Sequence, residues 1–317
     1  MKEITFIRTY IEQWTEAEKA LKRQDDYAPD KLADLYTGLT SNLSFAQTHY
    51  PQSRVTLYLN HLTSALHNSI YCYKHEKRSR WLTFWTQEIP LTIWQERRLL
   101  QLSLVLFIIF AFMGVVSQIA DPQFARSILG DDYVDMTLAN IAKGQPVAVY
   151  GSMFEMDSFI GIMANNIFVS ATMFASGIMT SWATAFRLFN NSLMVGVFLT
   201  FFYQHHLLWT ASLAIFLHGT LELSALVISA AAGFAVGNSW LFPGTYNRME
   251  ALKRGAKRGL KIFVSTVPLL IVAAFIEGFL SRHAEKSDTW HLIIILLSAA
   301  FIVFYYIILP YKTHLHD

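Results

Sequence analysis

The sequence predicts an all-α protein: a polytopic membrane helix bundle of about six spans, one of them broken or strongly tilted, behind an N-terminal soluble three-helix domain. Three observations carry this. Of 317 residues, 53% are hydrophobic and only 15% charged, where soluble domains carry about 25%. The charge is concentrated early, with 13 basic and 11 acidic side chains in the first 98 residues. Beyond Leu99, apolar stretches reach the roughly 20 residues a helix needs to cross a bilayer.

The opening region, residues 1–77, reads as a helical bundle. No apolar run there is long enough to span, and Lys2 and Glu3 lead into a helical pattern instead of a signal peptide, so an uncleaved N-terminus is expected. Apolar residues recur at three- and four-residue spacing. The first helix runs from about Ile4 to Arg23, with Ile7, Ile11, Trp14 and Leu21 on one stripe. The second begins near Pro29, a favourable first-turn residue, and carries Leu32, Leu35, Tyr36, Leu39 and Leu43 before Pro51. The third covers roughly Gln52 to Lys77, with Val55, Leu59, Leu62, Leu66, Ile70 and Tyr73. Three stripes close one small bundle. The single cysteine, Cys72, excludes an intramolecular disulfide and a four-cysteine zinc site; as a buried apolar residue it has a packing role by default.

Residues 78–98 interleave Trp81, Phe84, Trp85, Ile89 and Trp94 with Arg78, Arg80, Arg97 and Arg98. Amphipathic aromatic rings and basic side chains favour the headgroup layer. This is the pattern of an interfacial elbow bent at Pro90, with a fourth bundle helix as the other reading.

The transmembrane domain occupies residues 99–317, with spans expected at about 99–119, 158–186, 188–203, 207–242, 262–281 and 290–309. A polar stretch from Ala120 to Asp157 carries six acids (Asp121, Asp131, Asp132, Asp135, Glu155 and Asp157) and reads as an outer loop. Residues 207–242 exceed one span, so a break or strong tilt is expected near His218 and Gly219. With the N-terminal region inside, 21 Lys and Arg fall inward and four (Arg126, Lys143, Arg282 and Lys286) outward. By the positive-inside rule both termini are expected to be cytoplasmic.

Ionisable residues within a span cost about 2.5–3.5 kcal/mol on insertion scales. Three stand out: His218, Glu222 and Glu277. His218 and Glu222 are one helical turn apart, which makes a hydrogen bond between them natural. Asn165, Asn166, Asn190 and Asn191 add amides able to bond across helices. One reading is a structural polar cluster holding helices in register. A second is a metal site or acid and base pair, although no HExxH pair and no second intramembrane histidine is present to complete a hydrolytic zinc site. A proton or substrate pathway is the third.

Gly233 and Gly237, after Ser229 and Ala230 to Ala232, form a small-residue face for close helix packing, either within the chain or against a second copy. His205 and His206 end a span and read as interfacial. The basic stretch of Arg248, Lys253, Arg254, Lys257, Arg258 and Lys261 reads as a connector on anionic headgroups. A net charge of +2 gives no basic excess for nucleic acid. No cofactor motif is visible.

At several of these blocks the sequence resembles the stage II sporulation protein M family of bacterial integral membrane proteins. The resemblance rests on Asn165 and Asn166, on HGTLELSALVISAAAG (His218 to Gly233) and on IEGF (Ile276 to Phe279). The blocks LADLYTGL (Leu32 to Leu39) and YLNHL (Tyr58 to Leu62) look like the cytoplasmic extension of longer members. Members often carry an Asn-Gly pair where this chain has Asn190 and Asn191. The resemblance implies a bacterial inner-membrane protein. The namesake anchors two cell-wall-degrading partners during engulfment and is not an enzyme; longer members accompany a MoxR-type ATPase. It transfers no catalytic residue.

The leading functional expectation is a non-enzymatic scaffold or membrane-organising protein in the lipid bilayer. It would be a homo-oligomer, with a dimer favoured, and would assemble with envelope proteins or a MoxR-type ATPase system. An intramembrane metal-dependent hydrolase on His218 and Glu222 is the alternative. A transporter with a polar midplane site is the third, lowered by the lack of an inverted internal repeat.

Overall fold

The computed structural model describes residues 2–22, 27–71, 79–144, 155–280 and 288–315. Cys72, Tyr73, Lys77, Arg78, Arg282 and Lys286 lie outside the described residues, as do the side chains of Glu155 and Asp157. All secondary structure among the described residues is helical, and the chain divides into two compact units, Met1–Arg80 and Trp81–Asp317.

The first unit contains α1 (Glu3–Lys22), α2 (Pro29–His49) and α3 (Arg54–Tyr71). Trp14 and Phe6 of α1 are buried against Leu32, Leu35 and Leu39 of α2 and Leu59, Leu62 and Leu66 of α3. Phe6 is the centre of an aromatic cluster with Tyr10, Trp14, Phe45 and Tyr50. The α1 stripe is thus set by Phe6, Trp14, Ala17 and Ala20, and Ile11, expected inside, is 42% exposed. The large Phe6 and Trp14 rings fill the space, which rotates the helix relative to a stripe drawn through the isoleucines. Buried Asn42 donates to Gln13 Oε1 (3.0 Å), a polar tie across α1 and α2.

The second unit begins at Trp81, within a helical path through the aromatic and basic segment: α4 (Ser79–Thr83), a π-turn at Phe84–Glu88, and α5 (Ile89–Gln95). Ile89 and Ile93 are fully buried in the main core, Phe84 and Trp85 pack against it and Trp81 is exposed, so this segment is a packed element of the bundle. Pro90 lies inside the helical path, and the chain turns at Glu96 (φ −98°, ψ 14°), not at Pro90. The wide π-turn absorbs the proline: Ile89 N–H reaches back to Phe84 O, so no helical turn has to accommodate the missing donor on its own.

Among the described residues, six helices are long and apolar enough to cross a membrane. They run through α6 (Arg97–Ala120), α9 (Glu155–Met179), α10 (Ser181–Gln204), α11 (Leu208–Leu241), α12 (Arg248–Phe275) with its π-turn Ile276–Leu280, and α13 (Asp288–Val303), which continues through a π-turn at Phe304–Ile308 into α14 (Leu309–Leu315). The second and third spans meet at Thr180, not at Arg187. The Thr180 hydroxyl accepts from Ala183 N–H (3.1 Å) and caps α10, the preferred use of threonine at a helix start. Arg187 is therefore inside a span, where it donates to Thr172 Oγ1. The fourth stretch is one unbroken helix of 34 residues. At 1.5 Å per residue it is about 50 Å long, well beyond the roughly 30 Å hydrocarbon core. The basic stretch from Arg248 is no loop: it forms the first turns of α12, capped by Asn247.

The polar stretch after α6 is also partly ordered, as α7 (Phe124–Leu129) and α8 (Asp131–Ala142), with Gly130 at φ 91° making the sharp turn between them. Ala125 and Val134 bury against Val197, Phe201 and Phe202 of α10 and Ala211 of α11.

Helix α11 is the hub, touching α6, α9, α10, α12 and α13. Contact is close because small residues let backbones meet. A Cβ on Gly177 would lie 2.1 Å from the Gly233 carbonyl oxygen, and one on Gly237 would lie 2.5 Å from Ser181 N. The face of Gly233 and Gly237 is thus filled by α9 and α10 of the same chain and does not serve as the contact with a second copy.

Candidate functional site

The main core around α11 is apolar, built from Leu217, Leu221, Ala225 and Ile228 with Leu269, Leu270, Ala273 and Ile276 of the fifth span. Into this setting the fold introduces an imidazole and two carboxylates. His218 and Glu222 project from α11 one turn apart, and Glu277 comes from the π-turn that ends the fifth span. One ligating atom from each lies within 4.8 Å of the others. His218 Nε2 is 3.9 Å from Glu277 Oε2, with their side chains only 6% and 13% exposed.

The π-turn is the local reason Glu277 arrives there. Widening the helix by one residue rotates the following side chains relative to an α-helical register, and such turns recur at functional sites. Gly278 beside it allows close approach: a Cβ there would lie 3.2 Å from Phe159 Cβ on α9. Phe159 in turn packs against Phe275 and Phe279, so aromatic rings flank the carboxylate along the chain.

Asn166 of α9 completes the arrangement, its amide donating to Glu222 Oε1 (2.5 Å). Asn165 is exposed and, among the described residues, reaches Asn166 Oδ1 at 3.5 Å. A bond between His218 and Glu222 was the natural expectation from spacing, but the resolved contacts run across helices, from Glu222 to α9 and from His218 to the fifth span. Asn190 and Asn191 are not brought to this cluster. Asn190 is exposed, and Asn191 donates to the Arg187 carbonyl within its own helix (2.9 Å).

A second polar group holds the opposite end of the bundle and involves residues the sequence reading did not single out, Glu88 and Glu96. Arg258 donates to Glu96 Oε1 (2.5 Å) and Lys261 to Glu88 Oε2 (2.6 Å). Arg258 also donates to Ser239 Oγ (3.0 Å). These two basic residues are therefore ion-paired at partly buried positions, while Arg248, Lys253, Arg254 and Lys257 are exposed. The missed signal was the presence of two acids within the aromatic segment, each available to a basic helix face. At the same end Trp94 stacks on His314 (5.0 Å) and lies under Arg97 (4.3 Å). At the other end His205 contacts Phe201, and exposed His206 occupies a left-handed turn at φ 59°.

Fold and site together define a polytopic all-α membrane protein with a buried polar cluster shared by three spans. Residues 103–282 match the family described as Stage II sporulation protein M, and the chain belongs to that family. Residues 4–72 match a domain of unknown function, which coincides with the first structural unit. The chain is also 29% identical over 126 residues to an uncharacterized protein of Methanocaldococcus jannaschii, covering 39% of this chain and 71% of the relative. No solved structure matches.

Proposed function

We propose that this protein is a non-enzymatic integral membrane scaffold whose membrane unit displays the N-terminal helical domain to envelope partners. The observation that carries this reading is the division into two units, each with its own core. A self-contained helical domain tethered to a closely packed membrane anchor is the construction a scaffold requires. The glycine contacts favour a rigid anchor over a transporter, since alternating access needs repeats that move against each other.

We place the protein in the inner, cytoplasmic membrane with both termini cytoplasmic. Support comes from the clustering of Arg97, Arg98, Arg248 to Lys261 and Lys312 near one end of the spans, with Arg126 and Lys143 beyond the other. Homo-oligomerisation remains part of the proposal through surfaces other than the Gly233 face. Among partner classes, envelope proteins and a MoxR-type ATPase follow from the family resemblance. In-cell crosslinking followed by purification in mild detergent tests the reading. Defined envelope partners that are lost on deleting residues 1–77 support it; monomers with no crosslinked partner refute it.

A further inference from the structure

We propose that His218, Glu222 and Glu277 bind a single divalent transition-metal ion within the membrane, with Asn166 positioning Glu222. This goes beyond the scaffold reading, and neither depends on the other: partner capture tests one, and metal content tests the other.

The geometry is close to that of a formed site. Metal bonds to imidazole nitrogen and carboxylate oxygen of about 2.0–2.2 Å at tetrahedral angles place two ligand atoms about 3.3–3.6 Å apart. The His218 to Glu277 pair, at 3.9 Å, is slightly wider than this. The outer limit of the trio, 4.8 Å, requires a carboxylate oxygen to move by about 1–1.5 Å, within reach of side-chain rotation on a fixed backbone. The three ligands come from two chain segments that are packed together, α11 and the π-turn, so the backbone holds them in place without a mobile loop.

Charge balance points the same way. Two carboxylates enclosed among apolar side chains stay ionised together only with compensating positive charge. Among the described residues no Lys or Arg is paired with either carboxylate; the contacts given are the neutral amide of Asn166 on Glu222 and the His218 ring beside Glu277. A doubly positive ion on two carboxylates and a neutral imidazole leaves the site with no net charge. The donor set also selects among ions. Imidazole disfavours magnesium and calcium, which prefer all-oxygen sites, and the absence of thiolate or thioether disfavours copper(I). Zinc and manganese are the appropriate probes.

Asn166 acts through Glu222. By donating to Oε1 it fixes the carboxylate's orientation and leaves the other oxygen for the ion, the role of hydrogen-bond partners around ligands in known metal sites. Three protein ligands leave one coordination position open, which a closed structural site does not.

The test uses the full chain with its purification tag removed, reconstituted in lipid nanodiscs, exposed to zinc or manganese chloride and then dialysed. Elemental analysis is expected to find a single retained equivalent, and X-ray absorption of the loaded protein one imidazole among oxygen ligands. Glu277→Gln and His218→Ala are expected to lose retention. Asn166→Ala should retain the ion about 10–100-fold more weakly. No retained metal in the wild type overturns the proposal, as does an absorption spectrum without imidazole. Wild-type retention in folded His218→Ala or Glu277→Gln overturns it too. If a variant fails to fold, as read by circular dichroism, the wild-type stoichiometry and spectrum still decide.

Discussion

The Tyr305 hydroxyl donates a 2.9 Å hydrogen bond to the Trp85 carbonyl across 220 residues of sequence, and the reason is a proline. Trp85 O sits in a π-turn where Ile89 N–H is given to Phe84 O, while the next donor along would be Pro90, which has none. The carbonyl is left without a helical partner, and a buried acceptor without one is costly. Tyr305 supplies it from the other end of the chain. The same device recurs there, with Leu309 N–H reaching Phe304 O just ahead of Pro310. Two π-turns, each preceding a proline, thus meet at the base of the bundle.

Tyr305→Phe should therefore destabilise the membrane unit by about 1 kcal/mol, the usual worth of such a bond. Pro90→Ala restores an N–H that can reach Trp85 O. In the Pro90→Ala background, Tyr305→Phe should cost less. Unfolding in graded denaturing detergent measures both, and equal costs in the two backgrounds would disprove the link.

Glycines on two faces of the bundle should respond oppositely. At Gly177 an added methyl meets the Gly233 carbonyl, so Gly177→Ala should cost about 1–3 kcal/mol by overpacking. Gly219 instead faces a groove of about 500 Å³ lined also by Leu100, Leu104, Thr220 and Leu223. The nearest atom to a Cβ there is a methyl of Ile215 at 3.4 Å. Gly219→Ala should be neutral or stabilising by up to about 1 kcal/mol from helix propensity. Thermal unfolding of the two purified variants distinguishes them.

Removing Arg258 should matter more than removing Arg254. Glu96 has only 15% of its side chain exposed, and Arg258 joins it to Ser239 across three helical segments. Arg258→Ala strands that carboxylate at a cost of about 1–3 kcal/mol. Arg254 pairs with exposed Glu250 one turn away in its own helix, so Arg254→Ala should leave stability nearly unchanged. Equal losses in the two variants would contradict this assignment.

Helices α7 and α8 carry a pH dependence of known sign. Arg126 donates to both Asp131 and Asp135, and its hydrogen bond holds the Asp135 carboxyl below the ordinary value of 3.8. A depressed folded pKa contributes stability that is complete above the ordinary value and lost as pH falls through the folded one. Amide exchange in α7 and α8 should therefore accelerate only in strong acid. Arg126→Gln should return the Asp135 midpoint, followed by carboxyl carbon NMR, to the ordinary range; an unchanged midpoint would show that Arg126 does not set it.

The sequence by itself determined the class of solvent each part faces. The 53% hydrophobic composition and the placement of charge specify a helical membrane bundle with a separate helical domain, because periodic apolar spacing and span length are local properties. His218, Glu222 and Glu277 were legible as polar exceptions in apolar runs for the same reason. Partnership was not. Spacing paired His218 with Glu222, yet the fold turns Glu222 to Asn166 and His218 to Glu277, because contacts across helices depend on rotation and register that no single helix encodes. The span boundary at Thr180, the unbroken α11 and the enclosure of Gly233 by α9 and α10 were decided likewise by tertiary packing. There, close backbone approach outweighs the local preferences of glycine and polar residues to interrupt a helix.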